Sequence, residues 1–128
     1  MSPLARKQSR AFQQVLAEGI HDKHLALLRA HFAAPEHTTT WARLAQAVGY
    51  PNGNSVNLQY GRFAERIARQ LGLREKPFDP SGNAWWLWVL VCWADDGDAV
   101  NGHTAFVLRR PVVEALRRTG IAHEPQET

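Results

Sequence analysis

Arginine, amide and hydroxyl side chains recur between residues 54 and 69, and these groups are suited to nucleic acid. Arginine pairs bidentately with guanine and glutamine with adenine, whereas arginines further from the bases suit phosphates. We expect base contacts from Asn54, Ser55, Asn57 and Gln59, phosphate contacts from Arg62, Arg66 and Arg69, and support from Arg43 on the preceding helix. Arginines on an ordinary solvated helix give the same pattern, so that alternative stays open.

Two short helices around a tight turn must position these residues, which is the layout of a helix-turn-helix. Thr40 is a suitable N-cap for the first helix, and Gly49 is a suitable left-handed stop. The turn follows at residues 51–53. The apolar residues of the first helix follow i, i+3, i+4, i+7 spacing at Trp41, Leu44, Ala45 and Val48.

The second helix is expected to begin at Asn54 or Ser55 as its cap and to end at Gly72. At 100° per residue, one side collects the apolar residues and the roughly opposite side collects polar ones. The apolar side should pack in the core, and it comprises Val56, Tyr60, Phe63, Ala64, Ile67 and Leu71. The other side should meet a partner, and it comprises Ser55, Gln59, Arg62, Arg66 and Arg69.

The remaining segments predict further helices and a β-hairpin. A helix over about residues 4–18 carries Phe12, Val15 and Leu16 on one face, and a second helix begins near Asp22. The aromatic run 85–93 predicts a buried strand, and residues 103–108 predict its partner in a hairpin. A closing helix begins at Arg110-Pro111, and residues from about Ala122 are expected to fray.

These elements predict one α+β domain, mainly α-helical with a small β-hairpin. A hairpin directly after a recognition helix is the order of a winged helix-turn-helix. The expected parts are N-terminal helices over 1–35, the helix-turn-helix over 38–72, the hairpin wing over 84–108, the closing helix over 110–120 and a tail over 122–128.

Several segments carry a family resemblance. The segment 47–72 (AVGYPNGNSVNLQYGRFAERIARQLG), the tryptophan-containing strand and the segment 107–120 (VLRRPVVEALRRTG) resemble the small domain found beside HNH nuclease modules in bacterial proteins similar to modified-cytosine-dependent restriction endonucleases. The similarity covers about residues 27–120, and its most specific parts are VGY and VNLQYG. It implies a winged-helix-like DNA-binding domain related to restriction, with modified bases among the ligands to consider.

A looser resemblance is to the DNA-binding part of alkylguanine-DNA alkyltransferases and alkyltransferase-like proteins. Residues 39–45 match its T-x-Y-x-x-[IL]-A helix, with Trp41 in place of tyrosine. Asn54 falls roughly where that family has an intercalating arginine, and Cys92 lies outside any Pro-Cys-His-Arg motif. Alkyl transfer is therefore not expected.

Residue patterns for catalysis, metals and cofactors are incomplete. One cysteine cannot build a paired-cysteine zinc site, and Asn101-Gly102-His103 lacks the second histidine of an HNH nuclease. The histidines at 21, 24, 31 and 37 lack ligand spacing, and the acidic loop Asp95, Asp96, Asp98 lacks the residue that closes a calcium loop. With no P-loop or G-x-G-x-x-G either, we expect no catalytic residue, metal or cofactor.

Four tryptophans lie in the segment 85–93, at Trp85, Trp86, Trp88 and Trp93. They could form a stacking platform for an unpaired or modified base. Packing in the core is the simpler alternative, because large rings bury much area. Trp85 and Trp86 are the members expected to be exposed, since they adjoin a polar loop.

Composition limits the classes of function. The chain has 128 residues, 45% of them hydrophobic, which is enough for a core without disulfides. The net charge of +3 is modest, but its basic residues are mostly arginine. A lone cysteine and a polar N-terminus favour a cytoplasmic protein with no membrane span. The expected function is non-catalytic binding of DNA, expected to be double-stranded, in restriction, defence or transcriptional control. The alternative is an interaction module that has kept the fold but not DNA binding, and that binds a nuclease or another protein of a phage or host defence system.

Overall fold

Five helices and a small antiparallel sheet form the described part of the chain. The computed structural model describes residues 2–79, 82–94, 99–100 and 103–122. This α+β content, mainly helical, confirms the expected fold class. The elements in order are α1 (Pro3–Glu18), α2 (Asp22–Ala33), β1 (Thr38–Thr40), α3 (Trp41–Val48), α4 (Gly53–Gln70), β2 (Val91–Trp93), β3 (Ala99–Val100), β4 (His103–Leu108) and α5 (Arg110–Arg118).

The ends of α3 follow the sequence signals. The Thr40 hydroxyl accepts a hydrogen bond from the Arg43 amide at 3.2 Å, which satisfies an amide that the helix leaves unpaired. Gly49 follows the helix with φ of 89°, where side chains are strained. Both predictions for this helix are confirmed.

The start of α4 differs from the prediction of Asn54 or Ser55 as its cap. Asn52 is the N-cap, and its carboxamide oxygen accepts from the Ser55 amide at 3.1 Å. Gly53 is the first helical residue, and the absence of a side chain there lets α4 approach α3 closely. A β-carbon at Gly53 would lie 3.1 Å from the Trp41 β-carbon.

The run 85–93 is not one strand, so this prediction is wrong for its first half. Residues Trp86–Val89 form a 3₁₀ turn, and only Val91–Trp93 are extended. The Arg109 side chain helps to hold the turn, since its Nε donates to the Trp88 carbonyl at 2.6 Å and its guanidinium lies 5.0 Å from the Trp88 ring centre. A continuous apolar run has no periodicity that separates these two conformations.

The sheet has the order β1-β4-β2, and all its pairs are antiparallel. The predicted hairpin is confirmed by the pairing of Val91 with Leu108 and of Trp93 with Phe106. Strand β3 also pairs with β4. The sequence did not predict β1, which pairs Thr38 with Val107 and Thr40 with Ala105. Strand β1 thus joins the sheet at the residue before α3.

One core lies between the sheet and the helices. The predicted apolar side of α4 is buried apart from Leu71, which is half-buried. Helix α1 packs on α5 and α4, with Phe12, Val15 and Leu16 buried as predicted. The closing helix buries Val112, Val113 and Leu116.

A polar network at the centre of the core joins α2, α4 and β4. The Phe106 carbonyl can only accept, so His31 Nε2 donates to it, at 2.9 Å. The Tyr60 hydroxyl lies 3.0 Å from His31 Nδ1 and 3.1 Å from the Leu27 carbonyl. Burial lowers the pKa of His31 to about 4 and raises the pKa of Tyr60. Both side chains are therefore neutral near pH 7.

Some predictions fall on residues outside the described ones. These are the acidic loop Asp95, Asp96 and Asp98, the Asn101-Gly102 turn, and the tail over 123–128. Ala122 itself is buried, so fraying does not begin there. Within the described residues, no helix is long and apolar enough to cross a bilayer.

Replacing Asn52 with alanine tests the cap of α4. We expect Asn52→Ala to lower the free energy of unfolding by about 1 kcal/mol, because the Ser55 amide loses its acceptor. Asn54→Ala is the matched control, since Asn54 is exposed inside the helix, and it should change the value by less than about 0.5 kcal/mol. Urea unfolding of wild type and the two variants measures both changes. A larger loss of stability in Asn54→Ala than in Asn52→Ala would favour Asn54 as the cap, as predicted from the sequence.

The low pKa of His31 predicts an acid-sensitive fold. Between pH 6.5 and about 4, His31 is protonated in the unfolded chain but neutral in the folded protein. The free energy of unfolding therefore falls as the pH falls through this window. We expect His31 to remove about 2 kcal/mol of stability between pH 7.5 and pH 5. Urea unfolding of wild type and His31→Gln at both pH values isolates this contribution. Equal pH dependence in the two proteins would contradict the assignment.

Candidate nucleic-acid interface

Helix α4 lies on α3 and on the Trp86–Val89 turn, and its outer face is open to solvent. The burial of Val56, Tyr60 and Ile67 sets the rotation of the helix. Residues 54, 58, 62, 65 and 69 consequently point away from the core, because they lie on the opposite side of a 3.6-residue repeat. This outer face is the surface that a partner can reach.

Leu58 lies near the centre of the outer face and is 53% exposed. It follows Asn54 by four residues and precedes Arg62 by four, so these three side chains form one row. The sequence analysis assigned Leu58 to neither side of the helix. Its angular position, nearly opposite Tyr60, is the signal that could have placed it outside.

Arg62 and Arg43 are the available cations of this region. Both are exposed, and within the described part of the chain neither guanidinium has a hydrogen-bond or ion-pair partner. Arg69 is exposed too, but its Nη2 lies 2.9 Å from Glu65 Oε1, one helical turn away. An exposed pair of this kind is weak, so Arg69 can exchange Glu65 for a phosphate at little cost.

Arg66 connects α4 to the α1–α2 junction. Its Nη1 donates to the Gly19 carbonyl at 2.8 Å, and its Nη2 lies 3.4 Å from Glu18 Oε2. The side chain is also 42% exposed, and the phosphate contact expected of Arg66 stays a prediction. Helix periodicity gives no sign of the contact with Gly19, because that residue lies far away in sequence.

Gln59 and Ser55 are also engaged within the protein. The Gln59 amide oxygen bonds to His24 Nε2 at 2.9 Å, in a half-buried contact between α4 and α2. The Ser55 hydroxyl donates to Asn52 Oδ1 at 3.3 Å as part of the cap. Of the four expected base-reading residues, Asn54 and Asn57 are the ones that are exposed.

A groove of about 380 Å³ runs beside the outer face, between α4 and the turn that follows Trp85. Both Trp85 and Trp86 line it and are half-buried, so they contribute to the core and to this surface. The other lining residues are Asn57, Leu58, Gly61, Arg62, Glu65 and Leu87. Trp88 and Trp93 instead pack edge-to-face against each other, with ring centres 5.6 Å apart. The groove combines aromatic surface with one arginine, one amide and one carboxylate.

The histidines considered as metal ligands have structural partners. His21 Nδ1 accepts from the Lys23 amide, and His37 Nδ1 bonds to the Phe32 carbonyl at 2.7 Å. His24 and His31 bond to Gln59 and Tyr60, as described. Among the described residues, no group of three or more histidine, cysteine or acidic side chains could hold a metal ion.

Comparisons with known proteins do not assign the chain to a family. No protein-family model, curated protein or solved structure matches it. The geometry of α4 and its surroundings is therefore the basis for the function proposed below.

Arg66 and Arg62 should differ in their effect on folding. Arg66→Ala removes a charged hydrogen bond between distant segments, and we expect it to lower the free energy of unfolding by about 0.5 to 1 kcal/mol, since the pair is partly exposed. Arg62→Ala should change it by less than about 0.3 kcal/mol. Urea unfolding at pH 7.5 measures both, and equal effects would argue against a structural role for Arg66.

Proposed function

We propose that the protein binds double-stranded DNA as a winged helix-turn-helix, without catalysis, with the outer face of α4 entering the major groove. The observation that carries this proposal is the row of Asn54, Leu58 and Arg62 on a solvent-facing helix, with Asn57 on its flank. Helix α3 and the Asn52 cap hold the first turns of α4 in place.

The exposed side chains match the groups that a major groove presents. The asparagine amides can pair with adenine, and the apolar side chain of Leu58 can contact a thymine methyl group. Arg62 and Arg43 have no competing partner among the described residues, so they are available for phosphate or guanine. In this assignment Asn54, Asn57 and Leu58 read bases, while Arg43, Arg62 and Arg69 hold the backbone.

The hairpin of β2 and β4 supplies the wing in this proposal. It follows the recognition helix along the chain, and β1 connects it to the start of α3. Trp85 and Trp86 line the groove beside α4, where they can pack on the sugar-phosphate edge or stack on an unpaired base. The resemblance to domains of restriction proteins makes modified cytosine a base to test.

A second candidate function is binding of a protein partner through the same face. The 53% exposure of Leu58 favours it, together with the adjacent groove lined by Trp85 and Trp86. Exposed apolar and aromatic side chains beside an arginine are typical of interface centres. A nuclease subunit or another defence protein would be the partner.

Fluorescence anisotropy with a labelled 20-base-pair random duplex separates the two functions. We expect salt-sensitive binding at 50 mM KCl, and Arg62→Ala should weaken it about three- to tenfold and reduce the log–log salt slope by about one unit. Asn57→Ala should change the preference among duplex sequences more than the affinity for random DNA.

Arg74→Ala is the matched control, since Arg74 is exposed but lies beyond the end of α4. It should change the affinity by less than twofold. A methylcytosine duplex and a single strand, titrated in parallel, identify the preferred class of DNA. Equal affinities of wild type and Arg62→Ala for every probe would overturn the assignment of this face to DNA and leave the protein partner as the better candidate.

A further inference from the structure

A second basic surface lies in a groove between α1 and α5. The groove has a volume of about 630 Å³. Four arginines line it, and Glu114 is the carboxylate among its lining residues. The arginines are Arg6, Arg10, Arg110 and Arg118. The residues that line this groove are different from those that line the groove beside α4.

Glu114 offsets part of the positive charge of this groove, since the hydrogen bond from Arg118 and the nearby charges of Arg117 and Arg110 lower the pKa of its carboxyl. Arg118 Nε donates to Glu114 Oε1 at 2.8 Å. For Arg6, Arg10 and Arg110, the described part of the chain offers no hydrogen-bond or ion-pair partner to the guanidinium group. Unpaired like charges that share one groove repel each other, and an anion placed between them removes the repulsion.

Two of these arginines stand where the helix itself disfavours a cation. Arg6 lies in the first turn of α1, and Arg110 is the first residue of α5. The N-terminal end of a helix carries partial positive charge, which favours anions there. Side chains that break such a local rule in the same place are typical of functional surfaces.

The other lining residues favour a phosphate backbone over a peptide. Gln13 lines the groove, and its Nε2 donates at 3.3 Å to the Oγ of Ser9, which is buried. Glutamine and arginine are among the side chains that contact phosphates and sugars of nucleic acids. A peptide partner is usually held by apolar anchors at the centre of the interface, whereas every residue that lines this groove is polar or charged.

The spacing of the arginines suits a chain of phosphates. Arg6 and Arg10 are one helical turn apart, and Arg110 and Arg118 are two turns apart on α5. A rise of about 1.5 Å per residue places successive turns about 6 Å apart along each helix. Arginines on two packed helices can therefore contact several neighbouring phosphates of one strand.

We propose that the groove between α1 and α5 binds the phosphate backbone of a nucleic acid, as a second contact surface separate from α4. It rests on the proposed function only for the class of ligand. A duplex that reached both surfaces would be held without sequence preference by this groove, while the α4 face supplied base contacts.

The test compares two double variants that remove the same two positive charges. The double variant Arg10→Gln/Arg110→Gln removes two arginine charges from the groove. Lys7→Gln with Arg74→Gln removes two charges from exposed positions outside it. With a labelled random duplex at 50 mM KCl, we expect the groove variant to bind at least tenfold more weakly, with a log–log salt slope reduced by about two units. The control variant should differ from wild type by less than threefold.

A third variant gives the opposite result if the groove binds phosphate. Glu114→Gln removes the groove's carboxylate and releases Arg118, so we expect affinity to rise about threefold. A gain of affinity cannot come from misfolding. Far-UV circular dichroism and thermal unfolding check the fold of all the variants.

The outcomes separate this proposal from that for α4. If the groove and control variants lose DNA affinity equally, the proposal for the groove between α1 and α5 is overturned, whatever the affinity of Arg62→Ala. If the groove variant loses DNA affinity and Arg62→Ala does not, the result supports DNA binding by the groove and overturns the assignment of the α4 face to DNA. Wild type that binds neither duplex nor single strand overturns both. If a polyglutamate peptide displaces the duplex as efficiently as unlabelled DNA does, the groove is a site for acidic proteins and the nucleic-acid proposal fails.

Discussion

The buried contact between His31, Tyr60 and the Phe106 carbonyl is the interaction on which the arrangement of the helices depends. Polar groups can leave water at small cost only when each has a partner, so α2, α4 and β4 must meet in one geometry. Trp41 extends the contact to α3, since its ring stacks on Phe106 with centres 4.2 Å apart and meets Tyr60 edge-on. The rotation of α4, and with it the identity of the exposed face, follows from this cluster.

The two flanks of α4 are used within the protein, which narrows the surface left for a partner. Arg66 and Gln59 tie one flank to the α1–α2 region, and Ala68 is buried on the other side of the helix. What remains is a narrow row centred on Leu58, bordered by tryptophan. Four further arginines lie elsewhere, in the groove between α1 and α5. The basic residues of this chain, whose net charge is only +3, are therefore distributed over two surfaces.

Apolar periodicity in the sequence was sufficient to predict α4's buried side, as with Val56 and Ile67, and local cap signals predicted Thr40 and Gly49. Three features that the sequence analysis did not predict have a common cause. The Trp86–Val89 turn depends on Arg109, strand β1 depends on β4, and the internal contact of Arg66 depends on Gly19. Each partner lies far away in sequence, where neither propensity nor spacing carries information. The cap at Asn52 was missed because residues 51–53 were assigned to the turn, whereas Gly53 is the first residue of α4.

The pairing of β1 with β4 and the packing of α1 on α5 have a kinetic consequence. The first helix finds its main neighbour at the other end of the described chain, and Thr40 meets Ala105 only after a long loop closes. Loop closure of this kind slows folding relative to a bundle of local helix pairs. During synthesis the part of α1 that packs on α5 therefore stays uncovered until α5 has left the ribosome, and exposed apolar surface favours aggregation in that interval.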